Sequence, residues 1–204
     1  MTGFIAATLV HTEAGLVRID RISVGDRVLA ARAGTAAAPR PVAVTRLVGP
    51  LQAPIRHIGS TPMQNPPSGT RFNRLFAACD QPVWVVGTGW TAASRLLGDW
   101  LGPSPMGSLG GAPQYAVPDF VYQCGTPGLG WVGAASLERQ GLIWDFQAER
   151  FVRAEPFDTH TWPQDPETDS GIPCLVPVYS FGLDDADSFF VTEPGIQVRA
   201  AQAS

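Results

Sequence analysis

The chain has 204 residues, with 14 Lys and Arg against 18 Asp and Glu and a formal charge of -4. The basic residues are scattered, so nothing tracks a phosphate backbone, and nucleic acid is excluded as the partner class. With 45% hydrophobic and only 16% charged residues the chain can bury a core, and 22 Gly with 19 Pro suit short strands and many turns rather than a helical bundle.

The first residues, Met1 to Val10, lack a basic leader, and their apolar run stops at His11, so no signal peptide is read. No run approaches membrane-spanning length. The expected location is cytoplasmic as written, with no membrane partner; export as part of a longer protein stays open. A β-meander follows: Ile5 to His11, a turn at Glu13-Ala14-Gly15, Leu16 to Ile19, a tight turn at Ile22 to Asp26, then Arg27 to Ala30.

Ala31 to Pro41 reads as a surface loop, and strands are expected at Val42 to Val48 and near Ile55 to Ile58. Thr61 to Thr70 reads as a second loop. Leu75 to Ala78 and Pro82 to Val86 are strands flanking Cys79-Asp80-Gln81, followed by a Gly87-Thr88-Gly89 turn and the run Trp90 to Leu96. Gly98 to Pro118 is dominated by Gly, Pro and Ser and reads as loop. Further strands are expected at Phe120 to Gln123, Leu142 to Phe146 and Glu149 to Arg153, with a polar stretch from Phe157 to Pro173. The chain closes with Val176 to Phe181, a turn at Leu183-Asp184-Asp185, and the strands Ser188 to Val191 and Ile196 to Val198, read as a terminal hairpin.

The opening, Phe4 to Thr12 with Glu13 to Asp20 and Ile22 to Leu29, resembles the start of Hint (hedgehog/intein) domains, most of all those attached to bacterial polymorphic toxins. The closing stretch, Val178 to Phe181 and Asp187 to Val198, resembles the last strands of that family. Asp80 to Val85 with Gly89 to Ala93, and Gly125 to Val132, are similar to internal segments of toxin-type Hint domains. Together the matches cover about half of the chain. The resemblance implies an all-β fold, a flattened β-horseshoe whose two termini meet at the active centre. It also implies one domain over residues 1–204, with a loop-rich insertion at about 97–173.

In a working Hint domain a Cys or Ser at the first position attacks the carbonyl just upstream, so the nucleophile must be present and activated. The resemblance places Gly3 there, which has no side chain. The family's Thr-x-x-His motif, in which His protonates the leaving amide nitrogen and Thr helps hold the scissile peptide polarised, falls on Ala78-Cys79-Asp80-Gln81. Glutamine donates hydrogen bonds but does not exchange a proton near neutral pH. The family's His or Asp before the penultimate strand falls on Asp187, the one chemically competent position. The terminal His-Asn pair is replaced by Arg199-Ala200.

Several residues carry two readings. Asp187 is a relic active-site carboxylate or a turn residue in the Asp184-Asp185-Ala186-Asp187 run. Cys79 is an alternative nucleophile or a buried small hydrophobe. His11 and His57 are expected to be structural, and His160 to lie in an exposed loop. Trp84, Trp90, Trp100, Trp131, Trp144 and Trp162 are a ligand platform or core packing. Asp184, Asp185 and Asp187 lack the spacing of a calcium loop. Cys79, Cys124 and Cys174 form no CxxC pair, so neither a zinc site nor a disulfide framework is indicated; free thiols are expected, with a single disulfide left open. No cofactor or metal is expected.

Three functions compete. The first is a degenerate Hint domain that has lost self-cleavage and serves as a structural or interaction module, with a protein or peptide partner that could be a toxin or secretion-system component. The second is an autoprocessing Hint domain using Cys79 or Asp187; only two residues precede Gly3, which leaves little upstream to release. An unrelated hydrolase on the same scaffold comes last, because no Ser/His/Asp order with elbow glycines is present.

Overall fold

A computed structural model describes residues 1–32, 38–62, 64, 72–102, 114–133, 142–153 and 171–202. It contains β1 (Leu9–Thr12), β2 (Gly15–Arg18), β3 (Arg27–Ala30), β4 (Arg40–Thr61), β5 (Asn73–Ala78), β6 (Pro82–Val85), β7 (Gly89–Ala92), β8 (Trp100–Leu101), β9 (Gln114–Gln123), β10 (Leu129–Val132), β11 (Leu142–Asp145), β12 (Arg150–Arg153), β13 (Leu175–Leu183), β14 (Ser188–Val191) and β15 (Ile196–Arg199). Two single 3-10 turns, Ile19–Arg21 and Ala93–Arg95, are the helical pieces among the described residues. No helix there is long and apolar enough to cross a membrane. The fold is all-β, as expected.

Every strand pairing is antiparallel, and the path runs β12-β11-β10-β9-β8-β6-β15-β14-β1-β3-β4-β13, with β2 on β1, β5 on β4 and β7 on β6. A further β4–β9 pairing closes this path on itself. The expected meander forms for local reasons. Thr12 Oγ1 accepts from the Ala14 N–H and donates to the Gly15 carbonyl, which tightens the β1–β2 hairpin. Asp26 accepts from the Ser23 N–H at 2.8 Å and caps the turn that enters β3. The expected terminal hairpin is β14–β15, with Phe189 opposite Val198.

The structure differs from the sequence reading in several places, among them the short strand β8 within the stretch expected as loop. Val42 to Val48 and Ile55 to Ile58 belong to one strand, β4, because the chain keeps pairing with β13 on both sides of Gly49-Pro50 through a register shift between Val178 and Ser180. Gly49 has φ +107, and a Cβ there would sit 2.4 Å from the Val178 carbonyl oxygen, so only glycine makes this approach. Gln114 to Pro118 is strand instead of loop, because long-range pairing with Ile58 to Thr61 recruits it. Val176 to Phe181 does not turn back onto Ser188 to Val191; β13 pairs with β4, and β14 pairs with β1, β3 and β15. His160, Trp162 and most of the polar stretch from Phe157 to Pro173 lie outside the described residues.

β4 is the spine. Its first half holds β3 and β13, and its last residues hold β5 on one edge and β9 on the other, so that Arg56 lies between Ala77 and Phe120. One buried cluster packs Phe4, Val10, Val28, Phe181, Phe189 and Val198 among its members. A second, containing Ile5, Phe76, Val121, Trp144 and Val176, lies where β9 to β11 meet β5 and β13. The described tryptophans do not form one platform: Trp84 packs edge-on against Trp90, Trp100 against Tyr115, Trp131 stacks on Tyr122, and Trp144 enters the second cluster.

His11 ties β1 to the β14–β15 turn, its Nε2 lying 2.6 Å from the Thr192 carbonyl. Burial holds its imidazole below the ordinary range, with the hydrogen bond to Thr192 opposing. A lowered folded-state pKa stabilises the fold above the unfolded value and loses that contribution as pH falls. The urea midpoint is therefore expected to drop between about pH 7 and about pH 5, with a shallower slope in His11→Gln; equal slopes in both proteins would remove His11 as the cause.

Candidate functional site

The two ends of the chain converge through a three-residue wedge. Phe4 exchanges both backbone hydrogen bonds with Tyr179 of β13, at 2.9 and 2.8 Å, and Ile5 N–H donates to the Phe76 carbonyl of β5. On the same side, the Ala78 N–H donates to the Gly3 carbonyl at 2.8 Å. Beneath them the Phe4 ring meets Phe189 edge-on at 6.1 Å, and Phe189 lies against Phe181 at 4.3 Å.

From Gly3 a chain of hydrogen bonds reaches the far terminus. The Gln81 N–H donates to the Ala78 carbonyl at 2.9 Å, closing the Cys79-Asp80 turn. Gln81 Nε2 then donates to the carbonyls of Pro82 and Arg199, each at 3.0 Å. The Ala200 N–H donates to the Asp187 carbonyl at 2.8 Å. Gly3, Ala78, Gln81, Asp187, Arg199 and Ala200, singled out across the whole sequence, are thus linked in space.

Each position differs in what it can do. Gly3 has φ +146, and a Cβ built there would lie 2.8 Å from the Tyr179 carbonyl oxygen and 3.2 Å from the Val178 Cβ. A cysteine or serine in this backbone conformation is both strained and obstructed. Ala78 offers only a buried methyl group. Gln81 is fully buried, with both amide protons engaged as described; its Oε1 is buried without a hydrogen-bond partner among the described residues. That side chain works as a clamp between β6 and β15, with no proton to exchange.

Arg199 contributes its carbonyl to the clamp, while its guanidinium lies 5.5 Å from the Trp90 ring centroid. Asp187 is bound to this chain of contacts by its backbone, whereas its side chain lines a cavity of about 540 Å3 with Arg32 and Arg40. Asp185, its neighbour, pairs with Arg40 at 3.0 Å. Among the described residues, no three His, Cys, Asp or Glu side chains form a metal-ligating group.

Cys79 is half-buried beside this centre. Burial pushes its thiol up; Arg56 opposes that shift, and Asp80 adds to it. The neutral thiol therefore dominates near neutral pH, which is the wrong state for a nucleophile. Cys174 is buried and its thiol is pushed up to about 11 by burial, with Cys124 adding to the shift.

The residues that sequence reasoning missed are partners across strands. Tyr179, whose carbonyl occupies the space beside Gly3, carries no local signal of that role. Arg56 is buried with its guanidinium 3.7 Å over the Phe120 ring, and Asp119 is the buried partner of His57, itself expected to be structural, with its Oδ2 3.4 Å from His57 Nδ1. His57 and Asp119 face each other because β4 and β9 pair in register.

Two substitutions test the geometry. Gly3→Ala is expected to destabilise the fold by about 1–3 kcal/mol through backbone strain and the contact with Tyr179. Gln81→Ala is expected to cost about 2 kcal/mol, because it strips the carbonyls of Pro82 and Arg199 of their donor and leaves a void. Both are read from urea unfolding; unchanged midpoints would mean that the centre is not rigid.

No protein-family model matches this chain, and no curated protein matches it. Solved structures do. The chain is similar to a bacterial intein-like domain from Clostridium thermocellum, with TM-score 0.57 and 19% identity over 98% of this chain and 99% of that one. It is also similar to a DnaB intein from Synechocystis sp. PCC 6803, with TM-score 0.53 and 9% identity over 99% of this chain and 100% of that one. A third similarity is to the MchDnaB-1 intein, with TM-score 0.51 and 12% identity over 96% of this chain and 98% of that one. At these identities the likeness speaks for architecture, and with the convergence of both termini at one centre it establishes that this chain has the intein-like Hint fold.

Proposed function

We propose that this chain is a Hint-fold domain that has lost self-cleavage and works as a protein- or peptide-binding module. The observation that carries the reading is Gly3: the position of the attacking group has no side chain, adopts a backbone conformation suited to glycine, and faces the Tyr179 carbonyl where a Cβ would go. Gln81 supports it, since the position of the proton donor is occupied by an amide committed to holding two backbone carbonyls. Autoprocessing through Cys79 gains nothing from the site, because burial favours the neutral thiol.

An association with a bacterial toxin or secretion system is part of the same proposal. Its support is the likeness of the opening and of the internal segments Asp80 to Val85, Gly89 to Ala93 and Gly125 to Val132 to toxin-type Hint domains. Loss of catalysis with retention of the fold is physically coherent here, because the hydrogen bonds through Gln81 close the sheet whether or not a proton moves.

The test is intact mass. A version carrying a short N-terminal extension is incubated for a day with dithiothreitol or with hydroxylamine, which intercept a thioester or ester. The expected result is an unchanged mass under both conditions. A product cut next to Gly3 or beyond Val198 would overturn the reading, and Cys79→Ala and Asp187→Ala would then identify the group responsible.

A further inference from the structure

The turn between β14 and β15 leans on β1. Thr192 opens it with φ +62, a left-handed conformation that crowds a β-branched side chain. Within the turn, the Gly195 N–H donates to the Thr192 carbonyl at 3.1 Å. Two ties run to β1: the Thr192 N–H donates to the Leu9 carbonyl at 2.8 Å, and His11 Nε2 meets the Thr192 carbonyl at 2.6 Å. A carbonyl oxygen only accepts, so the proton in this bond sits on Nε2 and the neutral ring carries a bare Nδ1. A proton added at Nδ1 places a cation on a side chain that is only 6% exposed, and burial is what holds the imidazole below its ordinary range.

No neighbouring charge among the described residues offsets that cation. β1 pairs with β2, β3 and β14. Arg18 of β2 is engaged by Asp20 and Glu149, Arg27 of β3 by Glu13, and β14 carries no ionisable side chain. The Glu193 carboxylate of the turn is exposed, and none of these groups shifts the His11 ring. The turn is also weakly held from below. Phe189 and Val191 of β14 and Ile196 of β15 lie in the first apolar cluster, whereas Thr192 to Gly195 contribute no member to either cluster.

We propose that His11 is an acid-sensitive latch: protonation at Nδ1 frees the Thr192 to Gly195 turn from β1 while both apolar clusters stay packed. Once the turn is free, the imidazolium reaches water and Thr192 leaves its left-handed conformation. The open form binds the extra proton more readily than the closed form, so opening becomes more favourable as pH falls below the ordinary histidine range. Thr192 and Glu193 line a cavity of about 330 Å3 together with Phe76 and Trp144, and acid thereby reshapes that cavity. The latch acts locally, short of global unfolding, and does not depend on the interaction-module reading.

The experiment is amide hydrogen exchange of the full chain between about pH 7 and about pH 5, corrected for intrinsic rates, with the His11 ring resonances followed in parallel. Protection of the Thr192 and Gly195 amides is expected to fall by up to about tenfold per pH unit below about pH 6.5, and to stay under that of the Phe4 and Tyr179 amides throughout. His11→Gln keeps a donor for the Thr192 carbonyl but takes up no proton, and is expected to abolish the slope. The ring titration is read in the unaltered protein, so it decides the matter even if the variant does not fold; it is expected below the ordinary histidine value. Protection independent of pH, a slope that survives in His11→Gln, or a ring that titrates at or above the ordinary value would overturn the latch. Equal protection of Thr192 and Phe4 at every pH would overturn it too, because the turn would then open only with the whole fold.

Discussion

The pairing of Phe4 with two strands at once is the constraint on which the centre depends. β5 and β13 both pair with β4, and the segment from Gly3 to Ile5 occupies the gap between their other edges. Filling that gap satisfies backbone groups that would otherwise be left bare, at about 1–3 kcal/mol for each buried unpaired group. Burying the Phe4 ring against Phe189 adds about 1.5–3 kcal/mol. The wedge therefore holds for structural reasons alone. It also dictates the conformation at Gly3, since Phe4 can reach Tyr179 only if the preceding residue passes close to the Tyr179 carbonyl.

That closeness links architecture to chemistry. A side chain at residue 3 would compete for space with the carbonyl that the wedge needs, so packing tight enough to secure the fold leaves no place for a side chain in this backbone conformation. Gln81 illustrates the same trade. Its two amide protons join β6 to the end of β15, and the cost is a buried Oε1 without a partner. A group that donates to two carbonyls at once is well suited to closing a sheet and poorly suited to shuttling protons.

The long strand β4 explains why one sheet encloses two apolar clusters. It pairs with β3, β5, β9 and β13, and these strands send side chains to both clusters: Leu75 and Ala77 of β5 enter the first and Phe76 and Ala78 the second, while β13 gives Phe181 to the first and Val176 and Val178 to the second.

Much of the local structure could be read from residue order. The β1–β2 hairpin with Gly15, the turn capped by Asp26, the β14–β15 hairpin and the strands flanking Cys79-Asp80-Gln81 all follow from short-range turn chemistry and apolar patterning. The absence of side-chain chemistry at Gly3, Ala78 and Ala200 is likewise a matter of residue identity. Long-range pairing decided the rest. Gln114 to Pro118 became strand because Ile58 to Thr61 offered an edge, β13 paired with β4 instead of its neighbour β14, and Val42 to Val48 and Ile55 to Ile58 proved to be parts of one strand. Composition records a residue's own conformational preferences, whereas which edges remain open depends on where all the other strands have gone. For the same reason the obstruction of Gly3 by Tyr179 and the clamp from Gln81 to Arg199 exist only in three dimensions, each formed by residues brought together by packing.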